Sequence, residues 1–171
     1  MAALCTNRGL QAVVLYRISR LLWQKHVVVA PSILTRLVQM LYGIDISYKA
    51  EIGPGCVIFH GFGLVVASYV KVGRGAVLHQ GVTLGTRSYS RMSEDTPDGL
   101  PTVGDHVFIG AGAKILGNVI VGDNAVIGAN AVVVSSVPAG HTAVGVPAIK
   151  RPRSEGKHYA TERNPSGDTA I

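Results

Sequence analysis

The sequence has few of the residues that most often reinforce a small domain. Aromatic residues make up only 6% of the 171 residues although hydrophobic residues make up 47%, so a core must be built mainly from aliphatic side chains. The two cysteines, Cys5 and Cys56, are far apart and lack the spacing of metal ligands. This argues against a disulfide framework and a zinc site. We therefore expect no metal, and we expect a reducing cytoplasm as the location.

Acidic residues are missing from the whole segment before Asp45, which contains five basic ones. The net charge of the chain is +6, and this allows an anionic partner. Nucleic acid is not the partner we expect, because the clustered basic stretches and stacking aromatic residues of nucleic-acid-binding proteins are missing. A phosphorylated cofactor or an anionic membrane surface accounts for the charge equally well.

Two apolar segments before Asp45 are predicted helices. In the first, residues 10–26, apolar residues occur at helical spacing, but basic residues interrupt them and exclude both a membrane span and a signal-peptide core. The second runs from Pro31 to about Gly43. Two interpretations of segment 1–44 stay open. The helices pack on the main domain or on a neighbouring subunit, or a basic amphipathic helix lies on the inner face of an anionic membrane.

From residue 46 onward, aliphatic residues recur every six positions. The longest uninterrupted run is Val103, Ile109, Ile115, Val121, Ile127 and Val133. The residue after each is usually Gly, and the fifth position of each hexad is Val or Ala. A period of six is typical of a parallel β-helix, in which three hexads make one coil and each aliphatic side chain stacks on its equivalent in the next coil. Ordinary alternating strands have a period of two and do not produce this pattern.

The six-residue period is first interrupted around His60. The spacing from Ile58 to Val66 is eight residues instead of six. Once this interruption is counted, Leu78 stacks over Ile58, and Gln80 is expected about one coil above His60. An interruption of the repeat is a place where a solenoid can carry chemistry, because insertions there line a binding face.

A second interruption separates Leu84 from Val103 by 19 residues. The inserted residues are polar and rich in turn formers, and we expect an extended loop at 86–102 that projects from the coil. The domain organisation predicted from these patterns is a helical segment, then a β-helix over 45–150, then a flexible C-terminal tail at 151–171.

Three stretches of the chain resemble the serine acetyltransferase family of hexapeptide-repeat acyltransferases. They are DISYKAEIGPGCVIFHGFGLVV, QGVTLG, and IGAGAKILGN followed by VPAGHTAVGVPA. They occur in the family's order and extend over about residues 44–150. The resemblance implies an all-β fold, a left-handed parallel β-helix preceded by a short α-helical segment. It also implies a homotrimer that binds acetyl-CoA as co-substrate in a groove between adjacent subunits.

The family's catalytic histidine falls on His60, and its partnering aspartate falls on Asp45. A neutral imidazole can take the proton of an acceptor hydroxyl as the oxygen attacks a thioester. A carboxylate bonded to the other ring nitrogen fixes the tautomer and stabilises the imidazolium. A lone histidine at a turn is more often solvated or structural, and Asp45 alone fits a cap equally well. Their separation, the interrupted repeat and the family pattern favour a catalytic pair, with His79 as the competing histidine.

The resemblance also assigns an oxyanion donor, which is a backbone N–H in the turn after Leu84. The family usually has two glycines there, whereas this chain has Gly85 and Thr86. The N–H is retained in either case. Direct transfer from CoA to the hydroxyl is implied, so no cysteine or serine nucleophile is expected.

Acetyl-CoA is expected to lie along the later coils. Small residues there let the pantetheine arm lie against the backbone, and basic residues near the exit can contact the CoA phosphates. The residues predicted for this role are Gly110, Ala111, Gly112, Ala113, Lys114, Lys150 and Arg151.

The resemblance is weakest at the acceptor. The family has an aspartate immediately before the catalytic histidine, where this chain has Phe59. It has an arginine–histidine pair in the extended loop, where this chain has Gly99 and Leu100. An amino acid needs charged partners when it leaves water, and the family's long N-terminal helical domain is not seen in this sequence. We therefore expect a sugar hydroxyl, as in acetyltransferases of polysaccharide pathways, with serine as the alternative acceptor.

Two other classes of function fit the repeat less well. A structural or ice-binding solenoid does not need the pair of His60 and Asp45 or the long insertion. A hexapeptide protein of the carbonic anhydrase type binds zinc through three histidines, of which His60 and His79 would be two, but the spacings and the acyltransferase motifs argue against it. The remaining candidates, His106 and His141, fall at turn positions where a solvated role is expected.

Overall fold

The computed structural model describes residues 7–87 and 99–153 of the chain. Two helices come first, α1 (Arg8–Gln24) and α2 (Ala30–Tyr42). Short strands follow: β1 (Asp45–Ile46), β2 (Glu51–Ile52), β3 (Val57–Phe59), β4 (Val65–Val66), β5 (Lys71–Val72), β6 (Val77–His79), β7 (Thr83–Gly85), β8 (Thr102–Val103), β9 (Phe108–Ile109), β10 (Lys114–Leu116), β11 (Ile120–Val121), β12 (Val126–Ile127), β13 (Val132–Val133), β14 (His141–Val144) and β15 (Ile149–Pro152).

The strands form three sheets that the chain visits in turn. Sheet 1 has the order β1-β4-β7-β10-β13, sheet 2 has β2-β5-β8-β11, and sheet 3 has β3-β6-β9-β12-β14-β15. The pairings are parallel, except that β15 returns antiparallel to β14. This arrangement is a parallel β-helix and confirms the prediction from the six-residue period.

The aliphatic residues of the hexads stack in register inside the coil. In sheet 3, Ile58 pairs with Leu78, Leu78 with Ile109, and Ile109 with Ile127. These four side chains are between 0% and 3% exposed. The register confirms that the first interruption of the repeat places Leu78 over Ile58. The interruption is therefore absorbed outside the stack and leaves the core continuous.

Glycine follows many of the inward aliphatic residues because successive coils approach closely there. A β-carbon on Gly53 would lie 2.6 Å from the carbonyl carbon of Gly73 in the next coil. The backbone φ at Gly53 lies outside the left-handed region, so the requirement at this position is space and not an unusual backbone angle.

The N-terminal helices confirm the predicted segment with small shifts at their ends. The first helix begins at Arg8, two residues earlier than predicted, because the Asn7 side chain caps it by accepting a hydrogen bond from the N–H of Leu10 at 3.1 Å. The second helix has Pro31 in its first turn and ends at Gly43, whose φ of 64° terminates it.

Helix α1 packs on the first coil through its own polar side chains. The hydroxyl of Tyr16 donates to the carbonyl of Ala50 at 2.6 Å, and Nη2 of Arg17 donates to the carbonyl of Gly53 at 2.7 Å. The guanidinium of Arg20 also donates to the carbonyl of Ala50. The helix pair therefore packs on the main domain, as one of the two interpretations predicted.

This packing weakens the membrane interpretation of segment 1–44. Arg17 and Arg20 face the coil, and Arg20 also forms an ion pair with Glu51 at 3.4 Å. Two of the five cations on which that interpretation rests are therefore not presented on the outer face of α1. In the described ranges, the helices are too short or too polar to cross a bilayer.

The predicted boundaries differ from the structure at both irregular segments. The predicted loop at 86–102 ends inside β8, since Thr102 already pairs with Lys71, and residues 88–98 lie outside the described part of the chain. The β-helix does not stop at residue 150, because β15 continues to Pro152 on the edge of β14. The rest of the predicted tail, 154–171, also lies outside the described residues.

The stack of inward aliphatic side chains predicts that an Ile→Ala substitution lowers the free energy of unfolding far more inside the coil than on its surface. Ile109→Ala removes a fully buried side chain and should lower the free energy of unfolding by about 2–5 kcal/mol, because the surrounding coils collapse only partly into the cavity. Ile120→Ala is the matched control: Ile120 lies on β11 of sheet 2 and is 59% exposed, and its truncation should lower the free energy of unfolding by less than about 0.5 kcal/mol. Urea denaturation measures both values, and equal losses would contradict the stack as the source of stability.

Candidate active site

His60 lies in a bulge between β3 and β4. His60 and Gly61 have φ angles of 62° and 58°, so two consecutive residues are left-handed. The N–H of Gly61 donates to the carbonyl of Phe59 at 2.7 Å, and that of Phe62 donates to the carbonyl of His60 at 2.7 Å. A left-handed histidine is uncommon and marks a constrained turn. The eight-residue spacing is thus a local bulge that leaves His60 exposed at the surface of the coil.

The bulge begins a column of turns at the corner between sheets 3 and 1. The N–H of Gly81 donates to the carbonyl of Phe62 at 2.9 Å, and the N–H of Gly112 donates to the carbonyl of Gln80 at 2.8 Å. Because Phe59 pairs with His79, Gln80 lies one coil above His60, as predicted. We call this the His60 corner.

The predicted cofactor residues Gly110, Ala111, Gly112 and Ala113 lie in the His60 corner. They connect β9 to β10, two strand spacings from β3, which corresponds to about 10 Å. Lys114 belongs to the same corner, because its Nζ donates to the carbonyl of Gly81. The structure therefore brings the candidate base and the candidate cofactor residues to one corner.

Lys150 and Arg151 are exposed on β15, at the far end of sheet 3. Five strand spacings separate β15 from β3, which corresponds to about 24 Å along the sheet. The two basic residues consequently mark the opposite end of a path that begins at His60.

Asp45 does not form the predicted bond with His60 in this structure. Its carboxylate accepts a long hydrogen bond of 3.5 Å from Nε2 of Gln39 on α2, and in the described ranges no hydrogen bond or ion pair joins it to the imidazole. The two segments nevertheless adjoin, because a β-carbon on Gly61 would lie 2.5 Å from Cδ1 of Ile44. The contact with Gln39 depends on how α2 packs on the coil and could not be foreseen from the sequence.

The competing histidine, His79, has packing partners on both sides. Its ring stacks on Phe59 with centroids 5.3 Å apart and contacts Phe108 at 4.9 Å. Its Nδ1 lies 3.0 Å from the carbonyl of Ile109 and can only donate to that acceptor. These contacts describe a structural histidine.

The predicted oxyanion residues lie at a different corner from His60. Gly85 ends β7, and Thr86 follows at the corner between sheets 1 and 2. The three residues of β7 span about 10 Å between the two corners. Within one protomer, the structure does not bring Gly85 and Thr86 to the imidazole.

Sequence reasoning missed a contribution from the start of α1. A cleft of about 440 Å³ is lined by Asn7, Arg8, Gly9, Ile58, Phe59 and His60. Helix and coil touch at Gly9, where a β-carbon would lie 2.1 Å from the carbonyl oxygen of Ile58. A glycine at the start of a predicted helix was the available signal for such an approach. This contact brings Arg8 to the cleft that His60 also lines.

Cys56 is not a competing nucleophile. Burial raises the pKa of its thiol to about 11, and the positive charge of Arg17 offsets this only in part. The thiol is therefore protonated at neutral pH and unreactive as a nucleophile. In the part of the chain that the structure describes, no three His, Cys, Asp or Glu side chains are grouped to hold a metal ion, and Cys5 lies outside that part.

Known proteins resemble this chain over most of its length. Residues 101–135 match the family described as bacterial transferase hexapeptide (six repeats). The serine acetyltransferase of Synechocystis sp. is 41% identical over 139 residues, which cover 81% of this chain and 54% of that protein. The serine acetyltransferase of Helicobacter pylori strain J99 is 39% identical over 140 residues, which cover 82% of this chain and 79% of that protein. The chain thus spans about half the length of the first of these relatives and most of the second.

Solved structures show the same fold. The serine acetyltransferase of Neisseria gonorrhoeae in complex with serine superposes with a TM-score of 0.79 at 36% identity, over 86% of this chain and 58% of that one. A serine acetyltransferase in complex with CoA superposes with a TM-score of 0.76 at 38% identity, and the match covers 84% of this chain and 57% of that one.

The contact at Gly9 predicts an inverted effect of a helix-favouring substitution. Alanine usually stabilises a helix relative to glycine, but Gly9→Ala should lower the free energy of unfolding by about 1–3 kcal/mol, because the backbone of β3 blocks the new methyl group. The control is Ser32→Ala in the exposed first turn of α2, which should change stability by less than about 0.5 kcal/mol. A stabilising effect of Gly9→Ala in urea denaturation would contradict the contact.

Proposed function

This chain belongs to the serine acetyltransferase family of hexapeptide-repeat acyltransferases, and from that premise we propose that it transfers an acetyl group from acetyl-CoA to the hydroxyl of a small acceptor. The observation that carries the proposal is the His60 corner. One column of turns contains an exposed imidazole on a bulge and, about two coils along, the glycines and alanines of 110–113.

The proposed chemistry needs only one base and one binding groove. The neutral ring of His60 takes the proton of the acceptor hydroxyl as its oxygen attacks the thioester carbonyl carbon. The tetrahedral intermediate then expels the CoA thiolate, which takes the proton back from the imidazolium. Asp45, on the segment that packs against the His60 bulge, is proposed to stabilise that positive charge.

Acetyl-CoA is proposed to extend from His60 along the corner toward β15. Ala111 and Gly112 are small and partly exposed in this corner, whereas Gly110 and Ala113 are buried. Lys114 adds a positive charge in the same corner, and Lys150 and Arg151 lie at the far end of the path. Basic residues at that end suit the CoA phosphates. The relative solved with CoA supports the choice of cofactor.

A homotrimer is proposed because one protomer divides the site between two corners. His60 lies between sheets 3 and 1, whereas Gly85 and Thr86 lie between sheets 1 and 2. A site that uses both corners must combine one from each of two neighbouring chains. A cyclic assembly satisfies this requirement for every protomer at once.

Serine is the acceptor that we propose. The sugar hydroxyl expected from the sequence has no support among the relatives, which are serine acetyltransferases, one of them solved with serine. The expectation rested on the loss of charged residues at Phe59, Gly99 and Leu100. It took no account of Arg8, which α1 brings to the cleft beside His60.

The proposal predicts acetyl-CoA-dependent release of free CoA with L-serine. Release measured with a thiol reagent should be faster with L-serine than with nucleotide-linked sugars, and His60→Ala should lower kcat by about 10²–10⁴-fold because the base is removed. Asp45→Asn should cause a smaller loss, since the imidazole itself remains.

His79→Ala provides the matched histidine control. It removes a stacked ring and one hydrogen bond, so it should lower the unfolding temperature while most of kcat remains. Activity retained by His60→Ala and abolished by His79→Ala would show that the wrong histidine has been chosen. Faster release with a sugar than with serine would overturn the proposed acceptor.

The cofactor path predicts a separate effect at β15. Replacing Lys150 and Arg151 together with Ala should raise the KM for acetyl-CoA about tenfold and change kcat less, because these residues are proposed to contact phosphates remote from the thioester. Acetyl-pantetheine lacks the nucleotide phosphates and serves as the control substrate, whose KM should not change. An unchanged KM for acetyl-CoA would remove these residues from the path.

A further inference from the structure

An amino-acid acceptor requires a positive charge that the expected positions do not supply. The carboxylate of serine is strongly hydrated and loses that hydration in a cleft unless a cation or several donors replace it. Gly99 and Leu100 stand where an arginine–histidine pair was expected, and neither of them can provide a charge. Among the described residues, the cation has to come from another element of the fold.

Helix α1 supplies such a cation at the cleft that contains His60. Of the six residues that line the cleft, Arg8 is the one with a permanent positive charge. Its guanidinium has no hydrogen-bond or ion-pair partner among residues 7–87 and 99–153. Its neighbour Asn7 is already engaged, because its side-chain oxygen caps α1.

The position of Arg8 is fixed by the backbone contact of the next residue. Gly9 is buried and lies directly against the carbonyl of Ile58, two residues before His60. Arginine binds carboxylates with two parallel hydrogen bonds, so its fixed attachment point gives the acceptor a defined orientation. Phe59 lines the same cleft and adds an apolar surface to it.

We infer that Arg8 binds the carboxylate of the acceptor and is the specificity-determining residue of the proposed serine reaction. The acceptor lies in the cleft between α1 and β3 with its carboxylate at Arg8 and its hydroxyl directed to His60. This inference rests on the proposed function for the identity of the acceptor. Arg8 here replaces the positive charge that the positions of Gly99 and Leu100 lack.

The test compares L-serine with L-serinamide, in which a neutral amide replaces the carboxylate. Arg8→Gln should raise the KM for L-serine about tenfold or more, the loss typical of one hydrogen bond to a charged group. The KM values for L-serinamide and acetyl-CoA should not change. Arg8→Lys should recover part of the affinity for serine, because it restores the charge without the two-pronged geometry.

Lys25→Gln is the matched control, since it removes one positive charge from the exposed opposite end of α1. It should leave both KM values at the level of the parent protein. If Arg8→Gln raises the KM for serine and serinamide equally, Arg8 has only a structural role and the inference is overturned. An unchanged KM for serine overturns it as well.

Calorimetric titration of L-serine separates this inference from the proposed function. Binding that is lost in Arg8→Gln, without acetyl transfer in the parent protein, supports the role of Arg8 and refutes the proposed reaction. Transfer to serine that is unaffected by Arg8→Gln supports the reaction and refutes the role of Arg8. A parent protein that neither binds nor acetylates L-serine refutes both.

Discussion

The close approach of successive coils is the constraint on which the rest of this structure depends. At positions such as Gly53, the neighbouring backbone occupies the space of a β-carbon. This spacing keeps the inward aliphatic residues in contact from coil to coil and fixes the register of all three sheets. Residues far apart in sequence are thereby aligned at common corners, and the His60 corner gathers a candidate base and a candidate cofactor groove without any helix or loop to position them.

The periodic part of this fold could be predicted from the sequence because its period is local. The six-residue repeat predicts which side chains point inward, and the count through the eight-residue interruption predicts the position of Gln80 above His60. The interruption also identified the turn at which, among the described residues, a histidine is followed by a second left-handed residue. A regular repeat makes each departure from it informative.

The interactions that could not be predicted are those made by the helices. Gln39 on α2 reaches the carboxylate of Asp45, for which the sequence predicted His60 as the partner. Arg8 reaches the cleft only because Gly9 rests on Ile58. Neither contact follows from a repeat or from local spacing, since each depends on how a non-repetitive element docks on the coil. The expectation of a sugar acceptor, which has no support among the relatives described above, depended on the missing charges at Phe59, Gly99 and Leu100 and could not include Arg8 on a separate helix.

The last strand has a consequence for how the protein behaves at high concentration. A stack of parallel coils ends in an open sheet edge, and an open edge can pair with another copy and extend into a fibril. In sheet 3, β15 reverses direction and becomes the outermost described strand, with Lys150, Arg151 and Pro152 along it. Positive charges repel an identical edge, and Pro152 has no N–H to donate. The basic residues proposed to bind the cofactor thus also disfavour the association of two copies through this sheet edge.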